Sequence, residues 1–272
     1  MILAATIVLI ETLTVFSPAP VGIVPDKMGG FYAACPNAIY RYVDDTLART
    51  TSRGNDELLS GITDIAFSGQ WVYVAIPMKN TIYQFDRHLR YRGKIDTGSL
   101  YPMQIALSTD GSLWAFDPMK KRIANYSAVG DPMEKFKIIE ASSLVNPMLI
   151  GVVNWENFEN YIPHDSDSNN GRWQQVGSIE TPIIWSSADR TIIAGIQSDV
   201  SVTLLPDIEN IYLSDNDIAY FLSDNRMVID DGRQIDWLLP MPSKIVVEQS
   251  AKDVKIYTII GEKIIKVVAK WE

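Results

Sequence analysis

The sequence predicts an all-β chain folded as a single propeller, and three observations carry that prediction. Pro20–Val43 (PVGIVPDKMGGFYAACPNAIYRYV), Gly61–Asp86 (GITDIAFSGQWVYVAIPMKNTIYQFD) and Pro102–Ser127 (PMQIALSTDGSLWAFDPMKKRIANYS) say nearly the same thing about forty residues apart. Each reads as an apolar run, a polar turn, an aromatic-rich run, a second turn and an alternating run. Helix-period stretches are nearly absent, while turn signals such as Ser-Asp-Asn, Asp-Asp-Gly and Ile-Gly-Glu recur about every eight to twelve residues. A strand triplet cannot bury both its faces alone, so the repeats must stack radially.

The elements follow in order. Met1–Ile10 (MILAATIVLI) lacks a basic leader region, and only ten residues precede Glu11, too few to span a membrane. Its β-branched residues Thr6, Ile7, Val8 and Ile10 read as a strand over Ala4–Glu11. The units are then 13–53, 54–97, 98–141, 142–179, 180–206, 207–239 and 240–272, all within one domain spanning 1–272. That count is seven blades, with six as the alternative, because outer strands look short between Ile179 and Tyr212. The last unit holds three strands, and an unfilled edge would expose unpaired backbone. The strand Ala4–Glu11 is therefore expected to pair as its outer strand and close the ring.

The phrase from Pro102 to Asp117, PMQIALSTDGSLWAFD, followed by Arg122-Ile123, resembles NHL and YVTN-type propeller repeats. Gly61–Asp86 keeps the strand pattern with Ser68-Gly69-Gln70 in place of Asp-Gly, and Pro20–Val43 keeps Pro20, Gly22 and the Gly29-Gly30 turn. The resemblance implies the fold and is nearly silent on activity. It also implies an extracytoplasmic setting, periplasmic or secreted, with any signal peptide lying outside this sequence.

Net charge of −9 argues against nucleic acid as the partner, and no integral membrane segment is read. Charge is unevenly placed. From Met78 to Glu140 there are ten Lys and Arg against seven acids, whereas Asn154 to Asp236 holds four Arg against fifteen acids. Cys35 stands alone inside FYAAC, which suits a small buried side chain and excludes an internal disulfide. The two histidines, His88 and His164, fall in different repeats, so a His-rich metal site is out of reach. Asp44-Asp45, Asp230-Asp231 and Asp215-x-Asp217 all fall in turns, where carboxylates cap local backbone. Asp165, Asp167 and Asn169 alternate as in a calcium loop. The match then fails, with Asn170 at the glycine position and Val176 where a bidentate Glu is required. The reading is thus no cofactor, with Ca²⁺ on that loop the exception to test.

The expected function is a non-catalytic scaffold that binds another protein or a polymer through loops on one face. Its expected contacts are Asn37, Lys79, Asn80, Tyr101, Lys120, Lys121, Trp155, His164 and Trp173. The runner-up is an enzyme. The Pro–Asp-Gly–Leu-Trp rhythm is similar to streptogramin lyases and calcium-dependent lactonases, which implies a divalent cation at the channel mouth. Against it, the expected inner-strand starts Val21, Ile62, Met103, Met148 and Ile183 are apolar, with Asp64 the acidic exception. A structural subunit of an envelope or filament assembly is the third reading.

Overall fold

The computed structural model describes residues 4–108, 110–137, 145–154, 180–186, 188, 191–194, 201–204, 208–214, 217–222, 224–229, 233–250 and 252–271. After β1 (Ala4–Val15), the first repeat becomes β2 (Gly22–Pro25), β3 (Gly30–Cys35) and β4 (Ala38–Val43), completed by β5 (Thr46–Thr51). A short hairpin, β6 (Arg53–Gly54) with β7 (Glu57–Leu58), leads to the second sheet. That sheet is β8 (Asp64–Phe67), β9 (Trp71–Ile76), β10 (Thr81–Asp86) and β11 (Tyr91–Asp96). The third is β12 (Gln104–Leu107), β13 (Leu113–Asp117), β14 (Arg122–Tyr126) and β15 (Pro132–Lys137). The fourth is β16 (Met148–Asn154), β17 (Glu180–Ser186), β18 (Thr191–Ala194) and β19 (Ser201–Leu204). Each is an antiparallel meander in chain order.

The remaining strands form one sheet of eight, made of two antiparallel runs of four. One is β20 (Ile208–Ser214), β21 (Asp217–Leu222), β22 (Arg226–Ile229) and β23 (Arg233–Asp236). The other is β24 (Lys244–Gln249), β25 (Asp253–Ile260) and β26 (Lys263–Trp271), with β1 on its outer side. Backbone pairing joins the two runs where Ala4 and Ala5 lie parallel to Gln234 and Ile235. The N-terminal strand thus pairs with the last unit as expected, and is four residues longer than Ala4–Glu11. The only helical element among the described residues is the single 3-10 turn Pro77–Lys79.

The expected boundary between 142–179 and 180–206 is corrected by this pairing. β16 pairs directly with β17, Met148 opposite Trp185 through Asn154 opposite Glu180, so both segments belong to one sheet. The long stretch 155–179 that separates the two strands in sequence lies outside the described residues. Ile183, expected at an inner-strand start, sits instead in the second strand of this sheet.

Apolar clusters sit between neighbouring sheets, which is how strand triplets bury faces they cannot bury alone. Tyr32 and Ile39 of the first sheet join Ile65, Val74 and Phe85 of the second. Tyr73 and Ile82 of the second join Ile105, Leu113 and Tyr126 of the third. Trp114 and Phe116 meet Leu149 and Ile184 of the fourth. Phe221 and Ile235 meet Val247 and Val267, and Phe31 and Tyr42 meet Val246 and Tyr257. Innermost strands lie side by side accordingly: β8 between β2 and β12, β16 between β12 and β20, and β24 between β20 and β2. The result is a propeller-like arrangement of small sheets. Burial pushes the Cys35 thiol up to about 11, consistent with a packing role.

The repeat also places one polar tie twice. Tyr32 donates its hydroxyl to the Arg87 carbonyl at 2.8 Å, and Tyr73 donates to the Ala128 carbonyl at 3.0 Å, each 55 residues ahead. The acceptors are turn carbonyls of the next sheet, so each second-strand tyrosine pins its neighbour. The third repeat has Trp114 at this position, bonded to its own sheet through Ser108 Oγ. Tyr32→Phe and Tyr73→Phe are expected to cost about 1 kcal/mol each. The check is a lower urea midpoint at unchanged slope.

Candidate functional site

Starts of inner strands meet starts. The Asp64 carboxylate accepts the Ile105 N–H at 3.0 Å, and the Gln104 side-chain oxygen accepts the Leu149 N–H at 2.8 Å. Lys244 Nζ stands 3.7 Å from the other Asp64 oxygen. Asp64, Gln104 and Lys244 are the first residues of β8, β12 and β24, so these inner strands enter at one end. In a meander, the turns between second and third strands return to that same end. Turns and channel mouth therefore share a face.

Between the inner strands runs a cavity of about 510 Å³, lined by residues of β2, β8, β12, β16, β20 and β24. Its middle is walled by apolar residues, with Ile65, Ile105, Leu149, Ile211 and Ile245 among them, and Lys27, Ser68 and Ser108 stand at its far end. Polar groups stand at the entry end: Asp64, Gln104, Asn210 and Lys244. Gly22 packs closely against β8. A Cβ there would sit 2.7 Å from Ile65 Cγ2 and 3.4 Å from the Asp64 oxygen that Lys244 approaches. Asn210 is committed locally, donating to the Tyr212 hydroxyl at 2.8 Å and accepting from the Ile211 N–H.

Six of the residues expected to contact a partner gather on this face. Asn37 sits in the β3–β4 turn, Lys79 and Asn80 in the β9–β10 turn, and Lys120 and Lys121 in the β13–β14 turn. Tyr101 lies in the loop entering β12 and donates its hydroxyl to Met78 Sδ at 2.9 Å rather than lining the channel. Trp155, His164 and Trp173, with the loop residues Asp165, Asp167 and Asn169, lie outside the described residues. Lys79 is held by Glu57 at 2.7 Å, which lowers the Glu57 pKa and raises that of Lys79, with Tyr83 assisting. Asp117 fixes the third repeat's turn, accepting N–H bonds from Met119 and Lys120 on one oxygen and from Tyr101 on the other. Of the paired carboxylates, Asp44 and Asp45 occupy the β4–β5 turn at φ 48° and 62°. Asp45 reaches across to Lys266 and to the Tyr257 hydroxyl of the last sheet.

Sequence reasoning picked out Asp64 and missed Gln104, Asn210 and Lys244. It also passed over Met78 and Met119, which occupy equivalent turns and are 78% and 80% exposed. The repeated Pro-Met-Lys of residues 77–79 and 118–120 was the available signal.

Radially stacked sheets around a central cavity define the class: this is a β-propeller protein. No protein-family model matches the sequence, and no curated protein matches it. Among solved structures, a streptogramin B lyase aligns with a TM-score of 0.62 at 14% identity, over 95% of this chain and 97% of its own. Virginiamycin B lyase from Staphylococcus aureus aligns at 0.54 and 14% identity, over 95% and 98%. U3-55K aligns at 0.59 and 9% identity, over 95% and 98%. At such identities the likeness concerns the fold alone, and the neighbours include a lyase and a protein of another kind.

Proposed function

We propose that the chain is a non-catalytic propeller of the NHL and YVTN type, six blades closed between the first and last sheets, which binds another protein or a polymer on its channel-mouth face. The observation that carries this reading is the duplicated turn. Met78 and Met119 project from adjacent blades, each followed by lysine, with Tyr101 lying against Met78. Exposed methionines give adaptable apolar contact, and flanking ammonium groups steer an acidic partner. The basic stretch from Met78 to Glu140 places net positive charge in this sector.

The enzymatic alternative draws on the fold shared with a streptogramin B lyase. It fits the mouth less well. Among the described lining residues Asp64 is the one carboxylate, one of its oxygens holds a backbone N–H, and a dication at the other would face the Lys244 ammonium.

The Met78→Glu, Met119→Glu double variant is expected to lose at least about tenfold in partner affinity, since apolar contacts become like charges against an acidic surface. Its melting temperature should match the wild type, because both side chains are solvent-exposed. Pull-down with quantitative titration checks this. Undiminished binding, or binding lost together with the fold, counts against the face.

A further inference from the structure

We infer that the channel mouth is a binding site for a small monocarboxylate with an apolar body, a ligand distinct from the partner on the surrounding turns. The polar groups that the mouth leaves unspent are donors. The Gln104 oxygen is fixed by the Leu149 N–H, so its amide NH₂ has no hydrogen bond among the described residues and the side chain lines the cavity. Among the described residues the Lys244 ammonium has Asp64 alone beside it, at 3.7 Å and beyond hydrogen-bond distance, and its side chain is 35% exposed. The Asp64 side chain is 7% exposed, so of the two lining groups the ammonium is the more accessible.

A ligand must therefore bring acceptor oxygens, and a carboxylate satisfies a cationic donor best. Behind the mouth stand the isoleucines and Leu149 already named, with Lys27, Ser68 and Ser108 only at the far end, and a four-residue inner strand advances about 13 Å. A cavity of about 510 Å³ suits a ligand of that length with an apolar tail. Asp64 then acts as a restraint: it holds Lys244 at the mouth and subtracts from its pull on an anion.

The test uses the full chain, decanoate as probe and decanamide as its uncharged counterpart, read by titration calorimetry. Decanoate is expected to bind at least about tenfold more tightly than decanamide, with affinity falling as salt rises. Lys244→Met should erase that preference. Asp64→Asn keeps an acceptor for the Ile105 N–H and removes the opposing charge, so it should tighten decanoate binding severalfold. The gain in the second variant separates a binding role from a loss of fold in the first. Equal affinity for acid and amide, an indifferent Lys244→Met variant, weaker binding in Asp64→Asn, or no binding by the wild type would each overturn the assignment. Partner capture through Met78 and Met119 is scored separately, so the two proposals fail independently.

Discussion

Gly30→Ala is expected to be the most damaging glycine-to-alanine change among the described residues. A Cβ at Gly30 would lie 2.1 Å from the Tyr42 carbonyl oxygen and 3.1 Å from its carbonyl carbon. Both are backbone atoms of the paired strand β4, so no side-chain rotation relieves the clash. Separating the strands there disturbs three things at once. The Gly30 N–H bonds Asp26 at 2.9 Å, and Asp26 also takes the Met28 N–H and pairs with Arg41 at 3.1 Å. Tyr42 stacks on Phe31 at 4.8 Å, and Phe31 in turn touches Tyr257 of the last sheet. Overpacking against a rigid neighbour costs about 3 kcal/mol or more here, a fall of about ten degrees in melting temperature for a chain of this size. Gly29→Ala is the control. Nothing lies within 4 Å of its Cβ, but φ is +86°, so only the left-handed penalty of about 1–2 kcal/mol applies. Near-UV circular dichroism melts of the two variants decide the matter, and equal losses would mean that the strands do not approach so closely.

The first half of the fold was legible because its turns carry chemistry. Pro20–Val43, Gly61–Asp86 and Pro102–Ser127 became the first three strands of three successive sheets, with Gly29, Gly69 and Gly111 at positive φ between first and second strands. The fourth unit was misread because its first and second strands are separated by residues 155–179, which broke the rhythm that had guided the count. The fifth lacks glycine at its described turn, where Asn225 takes the left-handed conformation at φ 63°. The mouth was harder still. Asp64 and Gln104 occupy the same place in their repeats, but Lys244 lies far along the chain, and only the order of sheets brings it beside Asp64. A lysine heading a strand reads as a solvated side chain unless that order is known. Gly22 reads in the sequence as part of the repeat, whereas the structure gives it a steric role, since a Cβ there would meet Ile65 Cγ2 at 2.7 Å.

Removing residues 1–15 is expected to cost the fold its cooperativity. β1 pairs with β26 from Ala5 opposite Trp271 to Val15 opposite Lys263, nine register pairs in all. At about 0.5–1.5 kcal/mol per ladder hydrogen bond, the loss rivals the whole stability of an ordinary domain, about 5–15 kcal/mol. Side chains add little on the solvent side, since Val8, Leu9 and Ile10 are exposed. The inward residues matter more: Ile7 packs on the cluster shared by the last two runs, and Leu13 on the cluster shared by the last and first sheets. One strand thus braces both sides of the final unit. Without it β26 becomes a nine-residue free edge, a template for association between copies. The truncated chain should therefore show a broadened melt and concentration-dependent aggregation. A synthetic peptide of residues 1–16 added in trans should restore a single sharp transition, because strand addition at a vacant edge supplies the missing ladder. A truncated protein that melts sharply at the full-length temperature would show that the sheets hold together without the N-terminal strand.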